Sequence, residues 1–285
     1  MFDPFHYRVP FPSASEDVSR AKRGLETKQT KAEAYRLAFA DQDFLTRDEL
    51  RPLRLSLELL KPDLLLAEHR VASTLVIFGS SRTRSPEKAN GAGENPIFDE
   101  DRAYAEARDL SERVTRAGQG LAGDEREFVI VTGGGPGIME AANRGAEEAG
   151  GESIGLNIVL PHEQAPNRYI TPDLCFQFHY FAIRKMHFLM RAKAVVGFPG
   201  GFGTLDELFE TLTLIQTKKM EPVPILLFDK SFWTKVVDFD AMVAAGVISK
   251  RDLELFDYVE SADEAWARIC GYYNICPASA KPLES

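Results

Sequence analysis

The stretch VVGFPGGFGTLDELFE, residues 195–210, joins a short apolar run to a turn that has almost no side chains and then to a helix-favouring segment. Gly200, Gly201 and Gly203 leave the backbone of this turn open to close approach by another group. A strand, a glycine turn and a helix in this order are typical of α/β folds that bind an anion at the N-terminus of the helix.

The same alternation extends along the chain from about residue 70. Apolar, β-branched runs alternate with amphipathic segments, and the runs are STLVIFGS, REFVIVTGGG, ESIGLNIVLP, AKAVVGFPGG, VPILLF and LFDYVE. Strands that are apolar on both faces are typical of a parallel sheet covered by helices on both sides. The pattern predicts a doubly wound α/β fold.

The chain divides into three predicted parts. Residues 1–69 are charged and helix-favouring and form a predicted N-terminal helical extension. Residues 70–275 form the α/β domain, and residues 276–285 form a tail.

Two segments of the extension favour helix, residues 16–40 and 46–69. Pro52 and Pro62 lie in the second segment, and either proline is expected to end or bend a helix there.

Composition excludes several classes of function. The 285 residues include 34 Lys and Arg against 43 Asp and Glu, and the net charge of −9 disfavours nucleic acid as a partner. Three cysteines without C-x-x-C spacing indicate neither a disulfide framework nor a zinc site. No apolar run reaches the roughly 18 residues that span a bilayer, and no basic-then-apolar leader is present. We therefore expect a cytoplasmic protein with no membrane partner.

Three predicted strands end in turns that are poor in side chains. In a parallel sheet these turns meet at the carboxyl edge, where ligands bind, and together they predict a pocket for a phosphorylated ligand. The alternative is that the glycines only permit tight turns. The candidate binding residues of the turns are Gly79, Ser80, Ser81, Gly133, Gly134, Gly135, Gly200, Gly201, Gly203 and Thr204.

Known phosphate-binding motifs narrow the ligand. The dinucleotide pattern G-x-G-x-x-G fails, because the sixth position is Ile138 counted from Gly133 and Glu140 counted from Gly135. The triphosphate loop fails as well, because no glycine turn is followed by Lys and then Ser or Thr. A monophosphate needs only backbone N–H groups and one or two cations. We therefore expect a monophosphate ligand, with no cofactor and no metal.

Two motifs carry a family resemblance. TGGGPGIMEAANRGA (residues 132–146) and PGGFGTLDE (residues 199–207), with Arg184-Lys185 before the second, resemble the LONELY GUY family of cytokinin-activating phosphoribohydrolases, once labelled possible lysine decarboxylases. The resemblance covers roughly residues 70–270. It implies a Rossmann-like fold, at least a dimer, and hydrolysis of an adenine-type nucleoside 5′-monophosphate to free base and ribose 5-phosphate, as in an AMP nucleosidase.

The chain also departs from the plant members of that family. The first motif contains Met139-Glu140 where plant members have Met-Gly. The extension and the polar loop at residues 82–97 are foreign to the short plant enzymes. These differences concern substrate preference, including the choice between cytokinin release and nucleotide turnover.

Glu207 matches the last glutamate of the family motif, so the resemblance makes it the candidate catalytic carboxylate. N-glycosidic cleavage passes through an oxocarbenium-like transition state, which a nearby carboxylate stabilises. The alternative is that Thr204 and Glu207 form a capping box of the T-x-x-E type. Asp206 points about 100° away around the helix and is a secondary candidate for binding substrate.

Arg184 lies in an apolar segment, residues 178–194, for which we predict a largely buried helix. A buried guanidinium needs an anionic partner, so Arg184 is expected to act in catalysis on the phosphate or the leaving base, with Lys185 beside it. The alternative is a structural ion pair. His179 and His187 lack the spacing of metal ligands.

The resemblance adds two further candidates for substrate binding. Glu163, in the sequence LPHE, aligns with a glutamate of the family that contacts substrate. The alternative is that Glu163 is a loop residue whose carboxylate is exposed to solvent and does not contact substrate. Thr213, behind Glu207 on the same predicted helix, is a weaker candidate.

Two other functions compete with hydrolysis. The glycine turns are similar to those of molybdenum-cofactor carriers, which suggests a carrier or sensor of a nucleotide or cofactor. Arg184 and Glu207 together favour hydrolysis over binding alone. A pyridoxal-phosphate decarboxylase is the weakest option, because no lysine stands in the context of a Schiff base. We also expect a homodimer or higher oligomer.

Overall fold

The computed structural model describes residues 11–85, 97–121, 123–161 and 165–275. Its strands are β1 (Thr74–Phe78), β2 (Val129–Thr132), β3 (Ser153–Ile158), β4 (Cys175–Phe178), β5 (Ala192–Gly197), β6 (Ile225–Phe228) and β7 (Asp257–Val259). They form one parallel sheet in the order β4-β3-β2-β1-β5-β6-β7. The predicted doubly wound α/β fold is confirmed.

The helices precede the sheet or connect its strands. They are α1 (Ala14–Ala21), α2 (Gln42–Leu45), α3 (Arg51–Glu68), α4 (Glu100–Leu121), α5 (Ile138–Glu148), α6 (Phe181–Leu189), α7 (Phe202–Gln216), α8 (Lys230–Val236), α9 (Phe239–Ala244) and α10 (Ala262–Tyr273). None of the described helices is long and apolar enough to cross a membrane.

The strands β1, β2, β3 and β6 are buried along their whole length, because both faces of the sheet are covered there. All five residues of β1 are buried, and successive side chains enter opposite apolar clusters. Leu75 and Ile77 pack with residues of α4, α5 and α10. Val76 packs with residues of α6 and α7 on the other side. This double burial explains the continuous apolar runs of the sequence.

The topology places a binding crevice beside β1. β1 pairs with β2 on one side and with β5 on the other, so the direction in which strands are added reverses there. In open α/β sheets, ligands bind at the carboxyl ends of the strands at this switch point. The turns that follow β1, β2 and β5 are the three predicted glycine turns.

The sequence did not predict the strand β4, and the predicted start of a helix at residue 178 was wrong. β4 is an edge strand of four residues, in which Phe176 and Phe178 are buried and Gln177 is exposed. So short an alternation is a weak signal next to a longer apolar segment. The helix α6 begins only at Phe181.

Helix α3 continues through Pro62, so the prediction that this proline ends the helix was wrong, and the prediction of a bend stays a prediction. Pro52 is the second residue of α3, where a missing N–H is tolerated. Pro62 is buried, so packing offsets the lost hydrogen bond.

The first helical segment is mostly not helix, since α1 ends at Ala21 and only short 3₁₀ turns follow before residue 41. Gly24 and the mutual hydrogen bonds of Thr27 and Thr30 compete with helix there.

Contacts divide the chain into two units, Met1–Leu57 and Glu58–Ser285. The first unit contains α1, α2 and the start of α3, and the second contains the whole sheet. The predicted division at residue 69 stays a prediction.

Candidate active site

A cavity of about 740 Å³ lies at the switch point of the sheet. Its volume is in the range of pockets that hold a small molecule. Eleven of the predicted site residues line it, from all three glycine turns and from α6 and α7: Gly79, Ser80, Ser81, Gly133, Arg184, Gly200, Gly201, Gly203, Thr204, Asp206 and Glu207. The structure therefore brings most of the predicted site together.

The second glycine turn contributes only Gly133 to the lining, and Gly134 and Gly135 do not line the cavity. Their carbonyl oxygens accept hydrogen bonds from the Asn167 side-chain amide, at 3.2 and 3.0 Å. The N–H of Gly134 donates to Thr132 Oγ1 at 3.0 Å. These bonds fix the conformation of the turn, which is a structural role for both glycines.

Gly133 makes room for Arg184. A side chain at position 133 would begin 2.7 Å from Nη2 of Arg184, so the guanidinium would have to move away from the turn. The Arg184 Nε donates to the carbonyl of Leu156 at 2.7 Å, and the guanidinium carbon lies 5.2 Å from the centre of the Phe188 ring. These contacts hold the cation at the cavity wall.

Arg184 is not neutralised by a structural ion pair within the described part of the chain. No described carboxylate lies within ion-pair distance, and burial lowers its pKa while the charge of Glu207 raises it. The alternative of a structural ion pair is not supported. A half-buried guanidinium without a salt bridge, beside an open cavity, is suited to bind an anionic ligand.

Helix α7 presents its N-terminus to the cavity. The N-cap residue is Gly201, and no side chain caps the helix. The first backbone N–H groups of a helix lack internal partners, and here Gly203 and Thr204 also line the cavity. The positive end of the helix dipole adds to the attraction for an anion.

The capping-box interpretation of Thr204 and Glu207 was wrong. A capping box would make Thr204 the N-cap, but α7 begins two residues earlier, at Phe202. Glu207 is thus in the second turn of the helix, where no orphan backbone donor needs it. Its side chain lines the cavity instead.

Glu207 is a buried carboxyl group, 7% exposed. Burial raises its pKa to about 7, even though the positive charges of Lys185 and Arg184 lower it. Desolvation penalises the ionised form, so a positive charge that approaches the carboxylate stabilises it strongly. A group of this kind is typical of an active site.

Lys185 does not line the cavity. Its Nζ lies 2.9 Å from Oδ2 of Asp206 and 2.9 Å from Oε2 of Glu210, so it bridges α6 to α7. Burial lowers the pKa of Lys185, but these two ion pairs outweigh it and the pKa is raised. Lys185 therefore serves to hold the two helices together, and Asp206 lines the cavity while it is paired with this lysine.

The predicted burial of the helix that carries Arg184 was wrong for most of its length. Only His187 and Phe188 of α6 are buried, whereas Phe181 is 53% and Met186 48% exposed. Burial lowers the pKa of His187, although hydrogen bonds with the backbone of Glu58 and Leu59 raise it. Among the described residues, no group of His, Cys, Asp and Glu could hold a metal ion.

Of the two candidates that rest on the resemblance alone, the structure describes only Thr213, which does not line the cavity. Thr213 lines a separate cavity of about 130 Å³ on another side of α7, and its hydroxyl donates to the carbonyl of Phe209 at 2.7 Å. Glu163 lies outside the described residues. Its predicted contact with substrate stays a prediction.

Sequence analysis missed several residues that line the cavity. Arg82 follows the first glycine turn and forms no ion pair with a described residue, so it adds a second cation to the site. Phe181 and Phe202 add exposed aromatic rings, and Phe202 is 93% exposed. The position of Arg82 directly after Gly79, Ser80 and Ser81 was the signal that could have identified it.

Comparison with known proteins identifies a family that part of this chain matches. Residues 139–269 match the model of the family described as possible lysine decarboxylase. The predicted resemblance to the LONELY GUY family is confirmed. The matched region contains α6, α7 and the turn between them.

Two curated relatives are plant proteins. A probable cytokinin riboside 5′-monophosphate phosphoribohydrolase of Oryza sativa subsp. japonica is 31% identical over 129 residues, which cover 44% of this chain and 51% of that protein. The cytokinin riboside 5′-monophosphate phosphoribohydrolase of Arabidopsis thaliana is 32% identical over 130 residues, 44% of this chain and 58% of that protein. The match thus spans little more than half the length of these relatives.

Solved structures align with this chain at lower identity. The molybdenum cofactor binding protein from Rippkaea orientalis aligns with 70% of this chain and 97% of its own, with 19% identity and a TM-score of 0.45. A likeness of this extent says nothing about the ligand.

Proposed function

We propose that this chain is a phosphoribohydrolase that cleaves the N-glycosidic bond of purine nucleoside 5′-monophosphates, with adenine or an N6-substituted adenine as the base. The products are the free base and ribose 5-phosphate. The observation that carries the proposal is the buried carboxyl group of Glu207, which lines the same cavity as Arg184 and the uncapped N-terminus of α7. The names of the plant relatives support the same reaction.

Each part of the site has a role in this reaction. The N-terminus of α7 and the turn at Gly79–Ser81 hold the 5′-phosphate, and this fixes the ribose near Glu207. As the bond to the base breaks, positive charge develops on the ribose, and the Glu207 carboxylate stabilises it. Water adds to the anomeric carbon as the base leaves, and the proton that this water loses goes to the base, while Arg184 stabilises negative charge on the phosphate or on the leaving base.

The test is a panel of nucleoside 5′-monophosphates incubated with the protein, followed by chromatography of the free bases. We expect base to be released from AMP or from an N6-substituted AMP, and poorly from pyrimidine nucleotides. Release from none of them would contradict the proposal. Binding without release would favour a carrier or sensor.

The decarboxylase function has little support from the cavity. Pyridoxal-phosphate chemistry needs a lysine for the Schiff base, and no lysine is among the described residues that line the cavity. Purified protein is therefore expected to show no absorbance in the band of pyridoxal phosphate, and lysine to remain unchanged after incubation.

The activity is expected to depend on pH through Glu207. Only the ionised carboxylate stabilises the cation, and burial raises its pKa to about 7. Hence kcat/KM should fall as the pH drops below about 7 and level off above it. The rate should be measured between about pH 5 and pH 9. A rate that stays constant down to about pH 5 would contradict the role of Glu207.

We further propose that the chain forms a homodimer or a higher oligomer. Phe181 and Met186 on α6, and Met190 directly after it, are each about half exposed, at 53%, 48% and 47%. A second copy that packs on α6 would remove these apolar side chains from water. Light scattering is expected to give at least twice the mass of one chain, and a monomer at working concentration would contradict the proposal.

A further inference from the structure

The start of helix α6 is capped by a residue from α3. Its N-cap residue, Tyr180, forms no side-chain cap. Instead the carboxylate of Glu58 accepts the N–H of His179 at 2.7 Å and the N–H of Tyr180 at 3.1 Å. One carboxylate thus satisfies two backbone donors, and its negative charge lies at the positive end of the α6 dipole.

A second contact from α3 holds the chain just beyond the other end of α6. Nη2 of Arg191 donates to Oδ1 of Asp63 at 2.5 Å. Glu58 and Asp63 are five residues apart, about 7.5 Å along the axis of α3. Between these two contacts, His187 of α6 and Pro62 of α3 are buried. The segment of α3 from Glu58 to Asp63 therefore ties both ends of α6.

The position of α6 determines the position of Arg184. The backbone N–H of Arg184 donates to the carbonyl of Tyr180 at 3.2 Å, so Arg184 lies one turn after the residue that Glu58 holds. Its guanidinium reaches Leu156 and Gly133, whereas Glu207 is carried by a different helix, α7. A shift at the start of α6 would move Arg184 relative to Glu207.

We propose that Glu58 is a positioning residue for the active site. Through its bonds to His179 and Tyr180 it sets α6, and thereby holds Arg184 in register with Glu207. This rests on the proposed function of the cavity. Glu58 lies far before residues 139–269, the region that matches the family model, so this chain contributes a support from outside that region.

The test compares Glu58→Gln with Glu68→Gln. Gln keeps the shape of the side chain, but only one of its terminal atoms can accept a hydrogen bond, so one of the two backbone donors loses its partner. Glu68 is an exposed residue on the same helix and serves as the matched control. The parent and both variants are measured for amide hydrogen exchange in residues 179–185, for AMP turnover across pH, and for melting temperature.

For Glu58→Gln we expect faster exchange in residues 179–185 and a loss of about tenfold in kcat/KM, because small displacements of catalytic groups have large effects. The acidic limb of the pH–rate profile should move to higher pH, since Arg184 would lower the pKa of Glu207 less. Glu68→Gln should behave as the parent. A cap that serves stability alone would lower the melting temperature and leave the pH–rate profile unchanged.

Parental exchange rates in Glu58→Gln would overturn the proposal, and so would faster exchange with an unchanged pH–rate profile. If Glu58→Gln does not fold, Glu58→Asp decides, because it keeps the charge but is one methylene shorter. We expect a several-fold loss of turnover for it, and parental turnover would overturn the proposal. If the parent itself releases no base, the proposed function fails. The affinity of the parent and of Glu58→Gln for AMP is then compared by calorimetry, and weaker binding by the variant is expected if Glu58 positions Arg184. Equal affinity would overturn the positioning role of Glu58.

Discussion

Replacement of Glu207 by Gln is expected to lower the turnover of a nucleoside 5′-monophosphate by about a hundredfold or more, the scale seen when one electrostatic partner of a transition state is lost. Gln keeps the shape of the side chain and removes its negative charge. The measurement is the rate of base release at a pH above about 7, where the parent carboxylate is ionised.

The matched control is Asp206→Asn, one position earlier on α7. Asp206 is exposed and paired with Lys185, so loss of its charge is expected to change turnover only a few-fold. Turnover of Glu207→Gln near that of the parent would contradict the catalytic role. Because the structure rules out a capping role, such a result would leave Glu207 without a function at this site.

The melting temperature of Glu207→Gln separates loss of catalysis from loss of folding. The folded-state pKa of Glu207 is raised to about 7 by burial, so the folded protein binds this proton more tightly than the unfolded chain. The stabilisation that the bound proton provides is present at low pH and is lost as the pH rises through about 7. Above that pH, the Gln variant is therefore expected to melt at or above the temperature of the parent.

The 5′-phosphate of the substrate is expected to be essential, with kcat/KM for adenosine lower by about a hundredfold or more than for AMP. The uncapped N-terminus of α7, the turn after β1 and the cations of Arg82 and Arg184 all line one cavity. Binding energy from the phosphate positions the ribose next to Glu207, and adenosine lacks this binding energy because it has no phosphate.

This prediction is measured with adenosine and AMP at equal concentration, with release of adenine as the common readout. Arg82→Gln provides a comparison, since it removes one cation of the site. The difference in kcat/KM between AMP and adenosine should be smaller for this variant than for the parent. Comparable turnover of adenosine and AMP by the parent would contradict the prediction.

Most of the sheet could be predicted because its strands are buried on both faces. Runs such as TLVIF at β1 are apolar without interruption, and a glycine turn marks the end of three of them. β4 was missed because an edge strand of four residues, with Gln177 exposed, carries a weak pattern. The prediction that Pro62 ends a helix was wrong because packing, which the local sequence does not show, keeps α3 continuous.

The site was predictable where it depends on backbone turns, and less so where it depends on pairing between distant residues. The sequence Thr204-Leu205-Asp206-Glu207 fits both a capping box and a catalytic helix, and only the start of α7 at Phe202 decides between them. Lys185 was predicted to bind the substrate because it follows Arg184, but in the structure it pairs with Asp206 and Glu210. The bonds of Glu58 to His179 and Tyr180 span more than a hundred residues of sequence, which no local pattern reveals.

The central claim is that this cavity breaks the N-glycosidic bond of a bound nucleotide. It is tested most directly when one sample of the protein is titrated with AMP by calorimetry and then analysed by chromatography for adenine and ribose 5-phosphate. We expect AMP to bind and then to yield both products in equal amounts, with Glu207→Gln binding AMP but releasing little adenine. AMP that binds to the parent and is recovered intact would contradict the claim and indicate a carrier or sensor.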